Sequence, residues 1–406
     1  MSGLIQVVVV CSGILLWALV SRRLSATLIS MPMIFVLFGY AIGGAGADVL
    51  GLRVNSSLLH HFAEFTLILV LFTDASGVRL SELRRSFALP ARMLLIGMPL
   101  TMLLGMFVAH WVSPAAPLPM ALLIAAILTP TDAALAQAIL SNKDVPDRVR
   151  QAINVESGLN DGLAVPVIIL AATLSASLAG SADTGAPDSL AMFILLQLLL
   201  GPLVGIAIGY LLARLVDLAV DRDSISDAGR AISVLAGALL AFAVAEVVGG
   251  NGFISAFLAG LTLGNTLRCR REFIIEFMES EGQILTILTF VMFGAVLLPI
   301  GLQHATWKTV VLALLFITVV RMLPIWVSLI GTGLRPLEKL SLGWFGPRGL
   351  ASILFVLLID EQYTIPRFDE ILACVVLTVL FSIFLHGASA VPLAGLFGRL
   401  RGQRRE

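Results

Sequence analysis

The 406-residue chain is poor in charge, cysteine and histidine. Lys and Arg number 26 and Asp and Glu number 26, so the formal net charge is zero and only 13% of residues are charged. A soluble domain usually carries about twice that share. Without a basic surplus nothing can neutralise a phosphate backbone, which excludes a nucleic-acid binder. Three cysteines (Cys11, Cys269 and Cys374) are odd in number and far apart, which gives neither a disulfide framework nor a metal-ligand spacing. What the chain has instead is hydrocarbon: 58% of residues are hydrophobic and mean hydropathy is +1.00. A soluble fold this apolar has too little surface to hide it. The composition reads as an all-α polytopic membrane protein.

A helix needs about 20 apolar residues to cross the hydrocarbon. The sequence offers thirteen such spans, with limits near 3–20, 28–47, 58–75, 90–112, 118–140, 149–175, 190–213, 230–248, 251–267, 282–302, 309–334, 341–359 and 369–397. The last is long enough to hold a bend near Gly387. Loops after odd-numbered spans hold twenty-one of the basic residues, and loops after even-numbered spans hold only Arg53, Lys308 and Arg367. The positive-inside rule then places the N-terminus outside and the C-terminus in the cytoplasm of a plasma-membrane protein. Span 1 has no basic residue before it and Arg22-Arg23 after it, the reverse of a cleavable signal. The polar stretch near 181–188 is acidic and too short for a soluble domain.

The informative residues are the polar ones at membrane depth, where an ionisable group is costly and faces a cavity or a partner. Span 5 carries Thr129-Pro130-Thr131-Asp132 near its middle. Pro130 cannot join the helix ladder, and the residues beside it offer hydroxyl, carbonyl and carboxylate oxygens. A break there reads either as a kink satisfied by neighbouring helices or as a site. The Asp favours the site. Span 6 carries Glu156-Ser157-Gly158-Leu159-Asn160-Asp161-Gly162, which sets Glu156, Ser157, Asn160 and Asp161 on one helical face. That cluster reads as an ion or proton site. Arg321 in span 11 and Arg348 in Gly346-Pro347-Arg348-Gly349 of span 12 stay charged and need anions. Both read first as structural counter-ions.

Simpler readings suffice for the other polar residues. Glu64 fits the outer interface, and Asp74 and Glu246 fit solvated span ends. Asn251 fits a helix cap. His386 is a structural histidine or a relay. Spans 5 and 12 both place a charged residue after a proline, and seven spans apart they run in opposite directions. Spans 4–6 and 11–13 thus form an inverted repeat, and interrupted helices at matching places point to a transporter's substrate site.

Together these motifs resemble the NhaP-type sodium/proton antiporters, the bacterial and archaeal branch of the cation/proton antiporter family. Leu71-Phe-Thr-Asp-Ala75, Asn251 to Gly260 and His386 to Leu393 add to the likeness, which spans nearly the whole chain. The resemblance implies a core domain from residues 90–175 and 309–397, with the remaining helices as dimerisation scaffold, and two broken helices that cross. It also implies a homodimer serving pH homeostasis without a cofactor. Asp161 would be the cation- and proton-binding carboxylate, supported by Asn160, with Ser157 and the Thr131 carbonyl as further oxygens for the transported ion. Asp132 would lie beside the crossing. Glu156 would pair with Arg321, and Arg348 would offset charge at the unwound part of span 12. Where many relatives have Pro after the span-5 Asp, this chain has Ala133, which predicts a shorter unwound stretch.

One carboxylate that takes either a cation or a proton gives exchange by competition, and one titrating group predicts an electroneutral exchange. Na⁺ is the expected cation, with Li⁺ and K⁺ as alternatives. Two other classes use similar residues. A monovalent cation channel would need no inverted broken helices. An intramembrane aspartyl protease would pair Asp132 with Asp161 across a water.

Overall fold

The computed structural model describes residues 2–24, 29–44, 56–80, 88–132, 135–140, 142, 144–178, 190–268 and 272–402. Among them every regular element is a helix. That is the expected answer for apolar segments in lipid, because a helix satisfies its own backbone. Each expected span overlaps a helix or a pair of helical pieces. Among the described residues, eight helices are long and apolar enough to cross a membrane, and shorter apolar helices accompany them. Ala133 and the acidic stretch 181–188 lie outside the described residues.

The chain opens with α1 (Ser2–Leu24), α2 (Met31–Gly39, widened into a π turn over Tyr40–Gly44) and α3 (Ser56–Gly77). Next comes α4 (Ala88–Val112), which holds a π turn over Met93–Gly97 just before Pro99. Span 5 divides into α5 (Leu118–Leu128) and a short α6 (Gln137–Leu140). After it run α7 (Asp147–Leu178), α8 (Leu190–Asp221), α9 (Asp227–Val247) and α10 (Gly252–Thr266). α11 runs over Glu272–Met292 and continues through a π turn at Phe293–Leu297 into Leu298–Gln303, again just before a proline, Pro299. A proline withholds one ladder N–H, and a wide turn absorbs the mismatch.

Span 11 is not continuous as expected. It breaks at Thr318 into α12 (Trp307–Ile317) and α13 (Val319–Ser328), with Pro324 inside the second piece. Span 12 divides at Phe345–Gly349 into α14 (Pro336–Trp344) and α15 (Leu350–Gln362). The last span is one helix, α16 (Phe368–Gly402). It runs through Gly387 and Pro392 as uninterrupted helix. Asn251 caps α10 as read: its Oδ1 accepts from Ile254 N–H at 2.9 Å.

Close backbone contact joins α3, α8 and α10. A Cβ added at Gly260 or Gly264 of α10 would come within 2.2 Å of the Phe72 carbonyl or 2.1 Å of the Ser76 carbonyl on α3. One added at Gly205 or Gly209 of α8 would sit 2.3 Å from Ser255 O or 2.4 Å from Ala259 O on α10. Only glycine permits such approach. Against this group stand α5, α7, α13, α14 and α15, which carry the polar residues.

Candidate ion site at two crossed helix breaks

α5 ends because Pro130 has no N–H to continue it. Leu128 O would ordinarily receive Asp132 N–H; that N–H instead donates to Pro347 O at 2.8 Å. The freed carbonyls find partners on the other broken helix. Arg348 Nε donates to Leu128 O and Ser352 Oγ donates to Ile127 O, each at 2.8 Å. The traffic is reciprocal, for Leu350 N–H at the start of α15 donates to Asp132 Oδ2 at 2.8 Å. Thus the two breaks cross, and each helix end is completed by groups from the opposite chain segment.

α7 runs past this crossing and presents the span-6 cluster to it. Ser157 Oγ donates to the Thr131 carbonyl, and Asn160 Nδ2 donates to Thr131 Oγ1 at 2.7 Å. Asp161 is 5% exposed. Its Oδ1 is buried without a hydrogen-bond partner among the described residues, and so is Asn160 Oδ1. Burial of a polar oxygen without a partner costs free energy, so these two atoms are the open valences of the cluster. Thr131, Ser157, Asn160 and Asp161 therefore stand together. Their set of carboxylate, amide, hydroxyl and carbonyl oxygens suits a hard cation.

Glu156 faces elsewhere. Both its oxygens are engaged by Arg321, Nη1 to Oε1 at 2.5 Å and Nη2 to Oε2 at 2.7 Å. Pair members are each 1% exposed. This is the tie between spans 6 and 11 that the resemblance implied, and it engages both Glu156 oxygens with Arg321. Arg348 has no exposed surface and donates through Nε to Leu128 O and through Nη1 to Gly346 O. It therefore sits at the carbonyl end of α5, where a cation offsets the helix dipole. Each arginine thus donates to buried protein oxygens.

Three features escaped the sequence reading. Asp74, near the end of α3, is exposed as expected for a span end, and its carbonyl lies against Gly158 of α7, about one turn before Asp161. Two helices distant in sequence bring them together, and no local pattern announces it. Asn265 at the end of α10 bonds Leu80 N–H at 2.8 Å and Val78 O at 2.9 Å, which fixes the chain just after Asp74. His386 closes the second break: its Nε2 lies 2.9 Å from Trp344 O, while Ser382 Oγ accepts Arg348 N–H at 2.6 Å. The inverted repeat held a clue. Ser382 and His386 share the i, i+4 spacing of Ser157 and Asp161, and each pair serves the break in its own half.

Comparison with known proteins accords with this geometry. A family described as "Sodium/hydrogen exchanger, transmembrane" matches residues 7–395. The K(+)/H(+) antiporter NhaP2 of Shewanella oneidensis is 28% identical over 378 residues, which cover 91% of this chain and 62% of that protein. The Na(+)/H(+) antiporter NhaG of Bacillus atrophaeus is 24% identical, over 85% of this chain and 66% of that protein. The chain thus spans about three-fifths of the length of the first curated relatives it matches. In structure it is similar to the sodium proton antiporter MjNhaP1 from Methanocaldococcus jannaschii at pH 8, with a TM-score of 0.78 and 21% identity over 98% of this chain and 100% of that one. That likeness establishes the fold, and the family match over nearly the whole chain establishes the membership: this chain belongs to the sodium/hydrogen exchanger family of membrane transporters.

Proposed function

We propose that this chain exchanges a monovalent cation for a proton across the plasma membrane, with Asp161 as the shared site. The observation that carries the reading is the buried Asp161 carboxylate with an open oxygen, set beside Asn160, Ser157 and Thr131 at the crossing of two broken helices. Ser157 Oγ and the Thr131 carbonyl keep lone pairs free while bonded to each other. With Asp161 Oδ1 and Asn160 Oδ1 they offer a dehydrated cation several oxygens. A proton on Asp161 removes the charge that holds the ion, so the two ligands exclude each other.

Charge bookkeeping supports an electroneutral cycle. Arg321 cancels Glu156, and Arg348 and Asp132 balance across the crossing. Asp161 then carries either a cation or a proton, and both loaded states have the same charge. The empty site bears a bare negative charge, which is expensive in hydrocarbon and stays on its own side. Loaded states change access by movement of the core helices (residues 90–175 and 309–397) against the remaining helices, which form the scaffold of a homodimer. The arginine asymmetry orients the N-terminus outward and puts Asp74 at the cytoplasmic mouth. Relatives are named for K⁺ and for Na⁺, so either ion is a candidate beside Li⁺. A protease reading loses ground here, because Asp132 Oδ2 is bound to the start of α15 rather than poised with Asp161 across a water.

The test is cation-driven proton movement in proteoliposomes holding a pH-sensitive dye, with Na⁺, Li⁺ and K⁺ added in turn. At least one cation should collapse a preset pH gradient, and Asp161→Asn should be silent while remaining folded. Wild-type protein that moves no protons with any of the three would overturn the reading.

A further inference from the structure

We propose that the ring of Phe257, laid on Gly162, is the outer seal of the Asp161 site and the surface over which α7 slides when the site changes sides. The inference rests on the exchange reading above. A Cβ added at Gly162 would come 2.2–2.5 Å from three atoms of the Phe257 ring. The ring therefore lies directly on the backbone of α7, one residue from Asp161. Phe257 and Asp161 are each 5% exposed.

The surroundings differ on the two sides of this contact. One turn toward the cytoplasm, Gly158 shares the same face of α7, and a Cβ there would meet Val78 Cγ2 at 3.3 Å and Asp74 O at 3.4 Å. Asp74 is exposed there. Toward the outside, Pro166, Ile169 and Leu170 of α7 face Gln197 and Leu198 of α8 and Asn251 and Ile254 of α10. A polar mouth thus lies below Phe257, and above it a seam whose α7 side is hydrocarbon. A hydrated ion does not cross a hydrocarbon constriction readily.

The bonding pattern shows why this seam can move. α10 is fastened to α3 and α8 by the glycine–carbonyl contacts above. Hydrogen bonds add to this, from Ser255 Oγ to Ala241 O of α9 at 2.7 Å and from Arg268 N–H to Asp217 Oδ1 of α8 at 3.1 Å. α7 is fastened the other way, to Arg321 of α13, to Thr131 after α5 and, through Arg148, to Glu338 of α14. Between Gly162 and Phe257 there is only hydrocarbon on bare backbone, which can shear without breaking a hydrogen bond. The other half repeats the device. A Cβ at Gly301 of α11 would lie 2.6 Å from Val376 of α16, and one at Gly387 of α16 would lie 2.4 Å from Met33 Cε of α2. Glycine inside a helix is unfavourable relative to alanine. At Gly162 it secures the room for the ring.

A mutant square tests the proposal. Gly162→Ala drives a methyl into the ring, and the exchange rate should fall by about tenfold or more while the half-saturating cation concentration stays within about twofold. Adding Phe257→Ala removes the clash and should restore most of the rate. Wild-type exchange by Gly162→Ala, or a double variant no faster than Gly162→Ala alone, would overturn the sliding contact. The seal is read without transport, by labelling Gly158→Cys with a membrane-impermeant thiol reagent from outside, in a chain whose Cys11, Cys269 and Cys374 are Ala. Phe257→Ala should speed that labelling by about tenfold, a barrier change of roughly 1.4 kcal/mol, and equal rates would overturn the seal. If wild-type protein exchanges nothing, the exchange reading fails and the labelling alone decides whether Phe257 seals the site.

Discussion

Asp132 and Arg348 complete each other's helices. The carboxylate of Asp132, just past the end of α5, receives the Leu350 N–H that opens α15, and the Arg348 guanidinium, just before α15, donates to the last carbonyl of α5. A negative group therefore meets a helix N-terminus and a positive group meets a C-terminus, the favourable sense for both dipoles. Together they hold open a gap in two helices at once, and that gap is where the Thr131 carbonyl becomes available.

Replacing Asp132 should therefore cost stability as the loss of a helix cap does. Asp132→Ala should destabilise the folded protein by about 1–2 kcal/mol, read as a lower thermal midpoint in detergent. Asp132→Asn keeps an acceptor oxygen for Leu350 N–H and should recover most of that loss. Equal midpoints for wild type and Asp132→Ala would show that α15 does not depend on this cap.

The Glu156–Arg321 pair should behave differently from a surface ion pair. Each side chain is almost fully enclosed, so removing one partner strands a charge in the core at a cost of about 3–5 kcal/mol. Glu156→Ala or Arg321→Ala alone should give poorly expressed, polydisperse protein on size exclusion. The paired change Glu156→Leu with Arg321→Met removes both charges and should be recovered monodisperse. A stable, monodisperse Arg321→Ala single variant would contradict this account.

Acid stability should depend on Glu338. This residue lies just before the 341–359 span, accepting from Arg148 Nη2 at 2.6 Å and from Arg335 N–H at 2.8 Å. Burial alone pushes its carboxyl upward, but the Arg148 hydrogen bonds, the Arg335 N–H and the two arginine charges outweigh it and hold the pKa below the ordinary glutamate value. A depressed folded pKa means that the stabilisation is complete above the unfolded value of about 4.3 and is lost as pH falls through the folded one. The thermal midpoint of wild type should drop more steeply below that point than the midpoint of Glu338→Gln. Parallel curves for the two proteins would rule out this contribution.

Much of the site was legible because a membrane makes polarity conspicuous. Thr131, Ser157, Asn160 and Asp161 stand out against apolar helix, and the i, i+4 spacing of Ser157 and Asp161 already places them on one face. The crossing partners of Arg348 were not legible. They are backbone carbonyls of Ile127 and Leu128, which carry no side-chain identity and become available only because a distant proline stops α5. The interruption at Thr318 was not legible either, with no glycine or proline at the position itself. Asp74 is the solvated span end the sequence suggested. What one helix alone does not reveal is that its carbonyl lies against Gly158 of α7, because that is a tertiary contact.

Competition at one carboxylate makes a quantitative demand. A cation ligand must be deprotonated, so proton release accompanies cation binding and the apparent affinity follows pH. Where Asp161 is mostly protonated, each unit fall in pH should raise the half-saturating cation concentration by about tenfold, with the maximal rate unchanged. Two sites acting independently would instead lower the maximal rate at fixed affinity. Ser157→Ala should weaken cation binding at every pH yet leave the slope intact, because it removes an ion ligand and not the titrating group. Asn160→Asp places a second carboxylate beside the first, so its cycle should carry net charge and respond to an imposed membrane potential where wild type does not. Measuring initial exchange rates in proteoliposomes over a grid of pH and cation concentration, with and without a potassium–valinomycin potential, separates these outcomes. A wild-type rate that changes with the imposed potential would mean that more than one charge is at work in the site, and that Asp161 does not act alone.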